Sequence, residues 1–285
     1  MINLMIRNCK IYFRQKSTVF FSLLGVIIII ILYAVFLGDQ FKNGFDVVEV
    51  DILMYSWVIA GIIAVTSITT TMGAFELFVE DRANHISKDF NASPLAPYKL
   101  VGSYILCAFI VGSLMSFVAF ILGEIFLISQ GATLLSLTSI INTIGLILLS
   151  SLMSSTMIFF IVSFFFSLSA MSTASTILGT LIGFLTGVYL PIGALPNYVQ
   201  TIIKIFPNAH SAALFRQIFL VDPIKVSFNN LPIEYLNGFK ESVGVIFKFG
   251  DFIFEPIHHI LYMITVTIIF FILAVLNLSR TSTQK

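Results

Sequence analysis

The stretch from Ile125 to Ile203 contains 79 residues, and none of them is charged. The whole chain of 285 residues has only 15 basic and 14 acidic residues, with a mean hydropathy of +1.02. A soluble domain has about 25% charged residues, because it must cover its surface with polar groups. The composition therefore excludes an ordinary soluble enzyme and a disordered chain. The net charge of +1 gives no reason to expect nucleic acid or another polyanion as a partner. The sequence predicts an all-α integral membrane protein in a lipid bilayer.

Uncharged stretches of spanning length divide the chain into six predicted transmembrane helices. The charge-free stretch is too long for one span, and we divide it at residues 164–173, where bulky apolar residues give way to small polar ones. Pro191 and Pro196 are expected to end the fifth span. The six spans are expected at residues 18–37, 52–75, 100–128, 139–164, 170–190 and 257–278.

Lysine and arginine are unequally distributed between the two sides of these spans. Nine of them lie in residues 1–17, in the loop 76–99 and in the C-terminal tail, whereas Lys42 alone lies in the short loops of the other side. The positive-inside rule places the nine in the cytoplasm. We therefore expect a multi-pass plasma-membrane protein with both termini inside. A cleaved signal peptide is the alternative for the first span, but its apolar run is too long and no small-x-small site follows it.

Two segments outside the spans have distinct patterns. Residues 1–17 alternate apolar side chains with Arg7, Lys10 and Arg14 at helical spacing, which predicts an amphipathic entry helix on the inner leaflet. A basic segment that only sets topology is the alternative. Residues 191–256 form an outer segment whose first half is too apolar for a free loop. We expect two short re-entrant helices there, dipping into the outer edge of the membrane and sheltered by the other helices.

Catalytic and metal-binding motifs are missing from the sequence, so no catalytic, metal or cofactor residue is predicted. It has no P-loop, no HExxH motif and no nucleophile elbow. Cys9 and Cys107 form neither a disulfide framework nor a metal-binding spacing. Glu124, near the outer end of the third span, is the only ionisable candidate within the spans. Proton-coupled carriers need such residues, so the sequence favours an external source of energy.

The fifth span has small residues at every fourth position: Ser175, Gly179, Gly183 and Gly187. This spacing places all four on one helix face and lets another helix approach closely. The partner is either a helix of the same chain or, alternatively, a second subunit, and the same face is also suited to line a groove for cargo. Asn142 begins a polar stretch of the fourth span, which either lines an aqueous path or bonds to neighbouring helices.

The inner loop 76–99 carries both acidic and basic residues and is predicted to face solvent. Its helical spacing continues to about residue 90 and is stopped by prolines. A short helix parallel to the membrane is suited to receive force from a cytosolic partner; a solvated connector is the alternative. The candidate coupling residues are Glu80, Asp81, Arg82, Lys88, Asp89 and Phe90.

Together these features resemble the membrane subunit of the ABC-2 type of ABC transporters. The resemblance covers nearly the whole chain and includes the entry helix, the six spans and the loop E-D-R…S-P-L-A-P-Y-K. Its most specific part is Gly187–Gln217. There Pro191, Pro196 and Pro207, followed by the basic residue Arg216, resemble the outer re-entrant region of this family.

The resemblance implies a non-catalytic permease subunit of an ATP-driven exporter. A cytosolic ATP-binding cassette subunit would supply the P-loop and bind ATP and Mg²⁺, while this chain binds no cofactor. A second permease chain, identical or paralogous, would complete the pathway. Residues 80–90 would be the coupling helix, and the entry helix would contact the same ATPase. Two departures are Asn84–His85, where many members have Gly-Thr, and the longer outer segment at 228–252.

The Phe-rich, charge-poor spans favour a hydrophobic or amphiphilic cargo, such as a drug, antibiotic, peptide or lipid. Two alternatives come from other functional classes. One is an intramembrane lipid-modifying enzyme that uses Glu124 with His258 and His259. The other is a structural or toxin-immunity membrane protein.

Overall fold

The computed structural model describes residues 1–32, 47–86, 96–229 and 231–283, and within these ranges the chain is predominantly helical. The first seven helices are α1 (Ile2–Arg14), α2 (Lys16–Leu32), α3 (Val50–Ala74), α4 (Glu76–Ala83), α5 (Pro97–Ser129), α6 (Leu137–Val162) and α7 (Leu168–Leu185). They are followed by a 3₁₀ turn (Ile192–Ala194), α8 (Asn197–Ile205), α9 (Pro207–Phe219), α10 (Val221–Ser227), α11 (Ile233–Ser242), the strands β1 (Lys248–Phe249) and β2 (Phe252–Ile253), and α12 (Pro256–Thr283).

Five helical stretches in the described ranges are long and apolar enough to cross a membrane, and the protein is a multi-pass membrane protein. These stretches are Val50–Ala83 (α3 with α4), Pro97–Ser129, Leu137–Val162, Leu168–Leu185 and Pro256–Ser279. The predicted first span begins within α2, and its residues 33–37 lie outside the described part of the chain.

Helix α3 is the centre of the molecule and packs against α2, α5, α6, α7 and α9. Its side chains are buried along nearly the whole length, and Trp57, near its start, donates an indole N–H bond of 2.8 Å to the Val243 carbonyl. The helix backbones also approach closely: a Cβ at Gly112 of α5 would lie 2.7 Å from Thr71 Cγ2. Glycine at this position therefore permits the α3–α5 contact.

The chain turns between α6 and α7 at residues 163–167, close to the predicted division of the long uncharged stretch. Ser167 is the N-cap of α7, and its hydroxyl accepts a bond of 3.2 Å from the Ala170 amide. Serine favours this position because its side chain satisfies an amide that has no partner within the helix. The small polar residues at this point therefore begin a new helix.

The end of α7 differs from the prediction. The helix stops at Leu185, and Gly187 has a φ of 64°. The amide of Gly187 bonds to Phe184 O at 3.0 Å and that of Val188 bonds to Gly183 O at 2.8 Å, which is the Schellman pattern of helix termination. The expectation that Pro191 and Pro196 end this helix is therefore wrong. Gly187 likewise lies in the terminating turn and not on the helix face.

The described part of residues 191–256 contains a 3₁₀ turn and four short helices, of which the first two, α8 and α9, are joined at Phe206. Pro196 is the N-cap of α8, and Pro207 occupies the first turn of α9, where its missing amide costs no helical bond. Helix α9 packs among α3, α6 and α12. Beyond it, Gly250 (φ 59°) and Asp251 connect β1 to β2 in a two-residue antiparallel hairpin.

Candidate translocation cavity and coupling face

A cavity of about 500 Å³ lies between α2, α3, α6 and α7. Its walls are mainly apolar and include Ile62, Val65, Met72 and Ile182, and hydroxyl groups are interspersed among them. Small-molecule sites typically have volumes of about 300–1,000 Å³ with few polar groups, and this cavity has that character.

The small residues of α7 have different surroundings. Ser175 and Gly179 line the cavity, and a Cβ at Gly179 would meet no atom within 4 Å. Gly183 is covered by the ring of Tyr189, which folds back over the helix and also lines the cavity. Gly187 lies in the terminating turn. Only the inner part of the predicted stripe therefore faces the cavity, because the chain reverses after Leu185.

The polar stretch of α6 mainly joins helices. Ser150 and Ser154 hydrogen-bond to Ser67 of α3 at 2.9 and 3.2 Å, and Asn208 of α9 donates to Ser154 at 2.9 Å. These serines are fully buried. Asn142, at the start of the stretch, is instead exposed on the surface of the chain. Of the two alternatives for this stretch, the structure thus shows bonding to neighbouring helices.

Arg82 of α4 contacts the turn between α6 and α7. Its Nη1 donates to the carbonyls of Ser163 at 2.6 Å and Phe165 at 3.2 Å. Its guanidinium also lies 4.4 Å from the centroid of the Phe166 ring. The carbonyls at a helix C-terminus have no intrahelical partner and carry partial negative charge, so a cation is stabilised there. The inner loop is thereby attached to the beginning of α7.

Asp81 is buried, with 2% exposure, so the expectation that it faces solvent is wrong. Its carboxylate accepts two bonds from Arg7 of α1, at 2.6 and 2.9 Å, and one from the Tyr104 hydroxyl of α5 at 2.6 Å. The hydrogen bond with Asp81 raises the pKa of Arg7. The carboxylate can be buried because Arg7 pairs with it in a bidentate contact. This contact fixes the entry helix to α4 and α5.

The other candidate coupling residues occupy the exposed side of the inner loop or lie beyond the described part. Glu80 is half-buried, and Ala83, Asn84 and His85 are exposed. Lys88, Asp89 and Phe90 lie outside the described residues. The exposed residues of α4 therefore lie at its two ends, at Glu76 and at the tip formed by residues 83–85, next to Arg82.

Arg216 of α9 is completely buried. Its Nη2 donates to the carbonyls of Thr186 at 3.1 Å and Gly187 at 2.7 Å, and its guanidinium lies 5.0 Å from the Trp57 ring centroid. Arg216 therefore joins α9 to the end of α7 and to α3. Among the predicted outer residues, Pro191 precedes the 3₁₀ turn, so it helps to shape the chain that leads back to α8.

Two histidines pair beneath the β-hairpin. His210 Nε2 lies 2.9 Å from the Lys204 carbonyl, and its Nδ1 lies 2.8 Å from His259 Nδ1. A carbonyl only accepts, so Nε2 of His210 carries the proton and its Nδ1 accepts from His259. Burial lowers the pKa of His210 to about 4, which keeps this residue neutral at pH 7.

The residues of the enzyme alternative lie apart in the described contacts. Glu124 is buried near the C-terminal end of α5. His259 pairs with His210, and His258 accepts a bond of 3.1 Å from the Glu255 amide. The described contacts therefore bring neither histidine to Glu124.

Several residues of these sites were not predicted from the sequence. Glu76 lines the cavity, Tyr189 covers Gly183, and Tyr104 bonds to Asp81. The Asp81–Tyr104 and Asp81–Arg7 pairs have no local signal in the sequence, because their partners are distant along the chain.

Membrane-crossing helices around a cavity, with an inner loop attached to one cavity wall, define a multi-pass membrane protein suited to transport. A family model described as "ABC-2 family transporter protein" matches residues 48–276, and the chain belongs to this family. A search of the curated proteins found no match. Family membership makes the chain the membrane subunit of an ABC transporter, a system that includes an ATPase.

Proposed function

We propose that this chain is the permease subunit of an ATP-driven exporter and that the cavity between α3 and α7 is its cargo path. A cytosolic ATP-binding cassette protein binds ATP and Mg²⁺ and docks at the tip of α4. The cargo is hydrophobic or amphiphilic, in agreement with the apolar cavity walls, and moves outward. Family membership favours transport over the lipid-modifying and toxin-immunity alternatives.

The contact between Arg82 and the α6–α7 turn carries this proposal. It connects the exposed inner loop directly to the start of the helix that lines the cavity. A displacement of α4 by the ATPase is therefore transmitted to the inner end of α7. ATP binding shifts the permease between two conformations because the ATPase then binds one of them more tightly.

A second permease chain, identical or paralogous, completes the path along the exposed side of α7. Ile177, Leu181 and Phe184 leave this side apolar and open, at 54%, 47% and 43% exposure. The re-entrant hairpin α8–α9 closes the outer end of the path. The chain lies in the plasma membrane with both termini inside, and the entry helix α1 contacts the inner leaflet with its basic residues.

Co-purification tests the partner. Tagged chain from its native cell should bring down a cassette ATPase, and its absence from a mildly solubilised sample would contradict the proposal.

In the complex, Arg82→Ala should reduce transport-coupled ATP hydrolysis by about tenfold, since losing two charge-assisted bonds costs more than about 1.4 kcal/mol. Lys225→Ala, an exposed residue of α10, is the control and should leave coupling unchanged. Normal coupling in Arg82→Ala would remove α4 as the coupling element.

A further inference from the structure

The charge distribution of the cavity is strongly one-sided. Glu76, the first residue of α4, is the only charged side chain among the described residues that line it. Within the described residues Glu76 has neither an ion pair nor a side-chain hydrogen bond. Glu80 lies one helical turn further on and adds a second negative charge at this end. A carboxylate pair without a cation attracts a positively charged ligand.

The remaining polar groups of the wall are mainly hydroxyls that accept hydrogen bonds. Thr66 and Thr69 donate their own protons to carbonyls of α3, at 2.8 Å to Ile62 O and 3.1 Å to Val65 O. Thr66 is 1% exposed, whereas Thr69 is half-buried, so the lone pairs of Thr69 remain available to a ligand. Together with the charge of Glu76, an accepting hydroxyl on the wall favours a ligand that carries donors or a positive charge.

The space has the shape for an apolar body beside that charge. Gly73 of α3 and Gly179 of α7 both face open space, with no atom within 4 Å of an added Cβ. Between them lie apolar side chains such as Ile68 and Leu178. An apolar ligand surface is stabilised here by about 25 cal/mol for each Å² removed from water.

We infer that this cavity binds amphiphilic organic cations, with the apolar body between α3 and α7 and the charged end at Glu76. The inference rests on the proposed function and names the substrate class of the same site. It predicts selection by charge: of two ligands with the same shape, the cation binds and the anion does not.

Tetraphenylphosphonium and tetraphenylborate are such a pair, with nearly equal size and opposite charge. Binding is measured by equilibrium dialysis to the purified full chain in phosphatidylcholine nanodiscs, and uptake by empty nanodiscs is subtracted. Saturable binding of the phosphonium and none of the borate is expected. Glu76→Gln should weaken phosphonium binding about tenfold, because it removes the unit charge that the ligand faces. Glu234→Gln, in the exposed outer helix α11, is the control and should bind normally.

A second pair of variants tests whether the ligand occupies the cavity, independently of its charge. Gly179→Phe fills the cavity and should abolish phosphonium binding, whereas Gly145→Phe, on an exposed and open face of α6, should not. The inference is overturned if the phosphonium does not bind, if the borate binds equally well, or if Glu76→Gln binds normally. If the ATPase co-purifies and Arg82→Ala uncouples it in the same preparations, such a result rejects the substrate class alone. If no ATPase co-purifies, the proposed function itself fails.

Discussion

Helices α3 and α7 both have the composition of a membrane span, but the chain packs them very differently. In the apolar stretch of α3, 78% of the residues are buried inside the chain, against 17% in α7. Helix α3 is enclosed by α2, α5, α6, α7, α9 and α10. Two arginines attach α7 at its ends: Arg82 bonds to the turn before the helix, and Arg216 bonds to the turn that terminates it. Similar hydropathy thus gives one enclosed helix and one helix whose side along the cavity is largely exposed.

Two glycines, Gly112 of α5 packed against α3 and Gly179 on α7, give the largest expected difference. A leucine at Gly112 would overlap Thr71 and approach Ser67 O of α3. Gly112→Leu should cost more than the about 1–3 kcal/mol typical of overpacking, because backbone as well as side chains must move. Gly179→Leu, on α7, should purify normally. Size-exclusion chromatography of both variants in the same detergent checks this, and equal yields of monodisperse protein would contradict the difference between α3 and α7.

Removal of the outer attachment of α7 should have the next largest effect. Arg216→Gln should lower the free energy of unfolding by about 3 kcal/mol, since each bond to a charged group contributes about 1.5–3 kcal/mol. Hydrogen exchange should increase most in the turn after Leu185, while the middle of α3 remains protected. An increase that is uniform over both helices would show that Arg216 stabilises the whole fold and does not anchor α7 in particular.

The attachment of the entry helix should have an intermediate effect. Asp81→Asn removes the charge that holds Arg7 and should destabilise the chain by about 2 kcal/mol, and α1 should become accessible to protease. Asp222→Asn is the matched control, because Asp222 pairs with Lys225 at 2.8 Å on the surface. Its effect should stay below about 0.5 kcal/mol. Equal melting temperatures of the two variants would mean that the buried triad with Tyr104 does not stabilise the chain.

The histidine pair should give the smallest effect, as a dependence on pH. His210 has a pKa of about 4 in the folded chain, below the ordinary 6.5. The unfolded chain therefore binds the extra proton first, and stability is complete above about pH 6.5 and is lost as the pH falls toward 4. We expect a loss of about 1 kcal/mol at pH 5.5, given about 1.4 kcal/mol per pH unit for one proton.

The control for this pH dependence is the adjacent half-buried histidine. Thermal melts from pH 7.5 to 4.5 should show a flatter profile for the double variant His210→Gln/His259→Gln than for His258→Gln. A double variant with the same acid sensitivity as the unmodified chain would assign the effect to other groups.

The sequence was a good guide wherever one property dominated the local structure. Apolar runs predicted spans close to helices α3, α5, α6, α7 and α12, because length and hydropathy alone determine whether a helix can cross a membrane. The small polar residues near Ser167 predicted a break, because serine caps a new helix there. The residues Gly187–Gln217 indicated membership of the ABC-2 family, and the match of the family model to residues 48–276 confirmed it.

The candidate site was harder to predict, because charge and spacing do not reveal the partner of a side chain. Asp81 has the pattern of a solvent-facing loop residue, yet Arg7, 74 positions earlier, buries it. Gly187 continues a regular four-residue spacing, yet its positive φ ends the helix. In the sequence Glu76 has the pattern of any other loop charge, but α4 begins beside the cavity and Glu76 lines it. These differences arise from tertiary contacts, which a single sequence does not report.

Movement of α7 relative to the core is tested most directly by two distances within the chain bound to its ATPase. Spin labels replace residues on the exposed faces of α5, α6 and α7, at Leu114, Leu148 and Ile177, in a chain with Cys9→Ser and Cys107→Ala. Pulsed electron resonance then measures Leu114–Ile177 and Leu114–Leu148 with and without ATP and vanadate. We predict that the distance to Ile177 changes on nucleotide binding while the distance to Leu148 stays constant. Two constant distances, or equal changes in both, would contradict the proposal that α7 is the moving wall of the cavity.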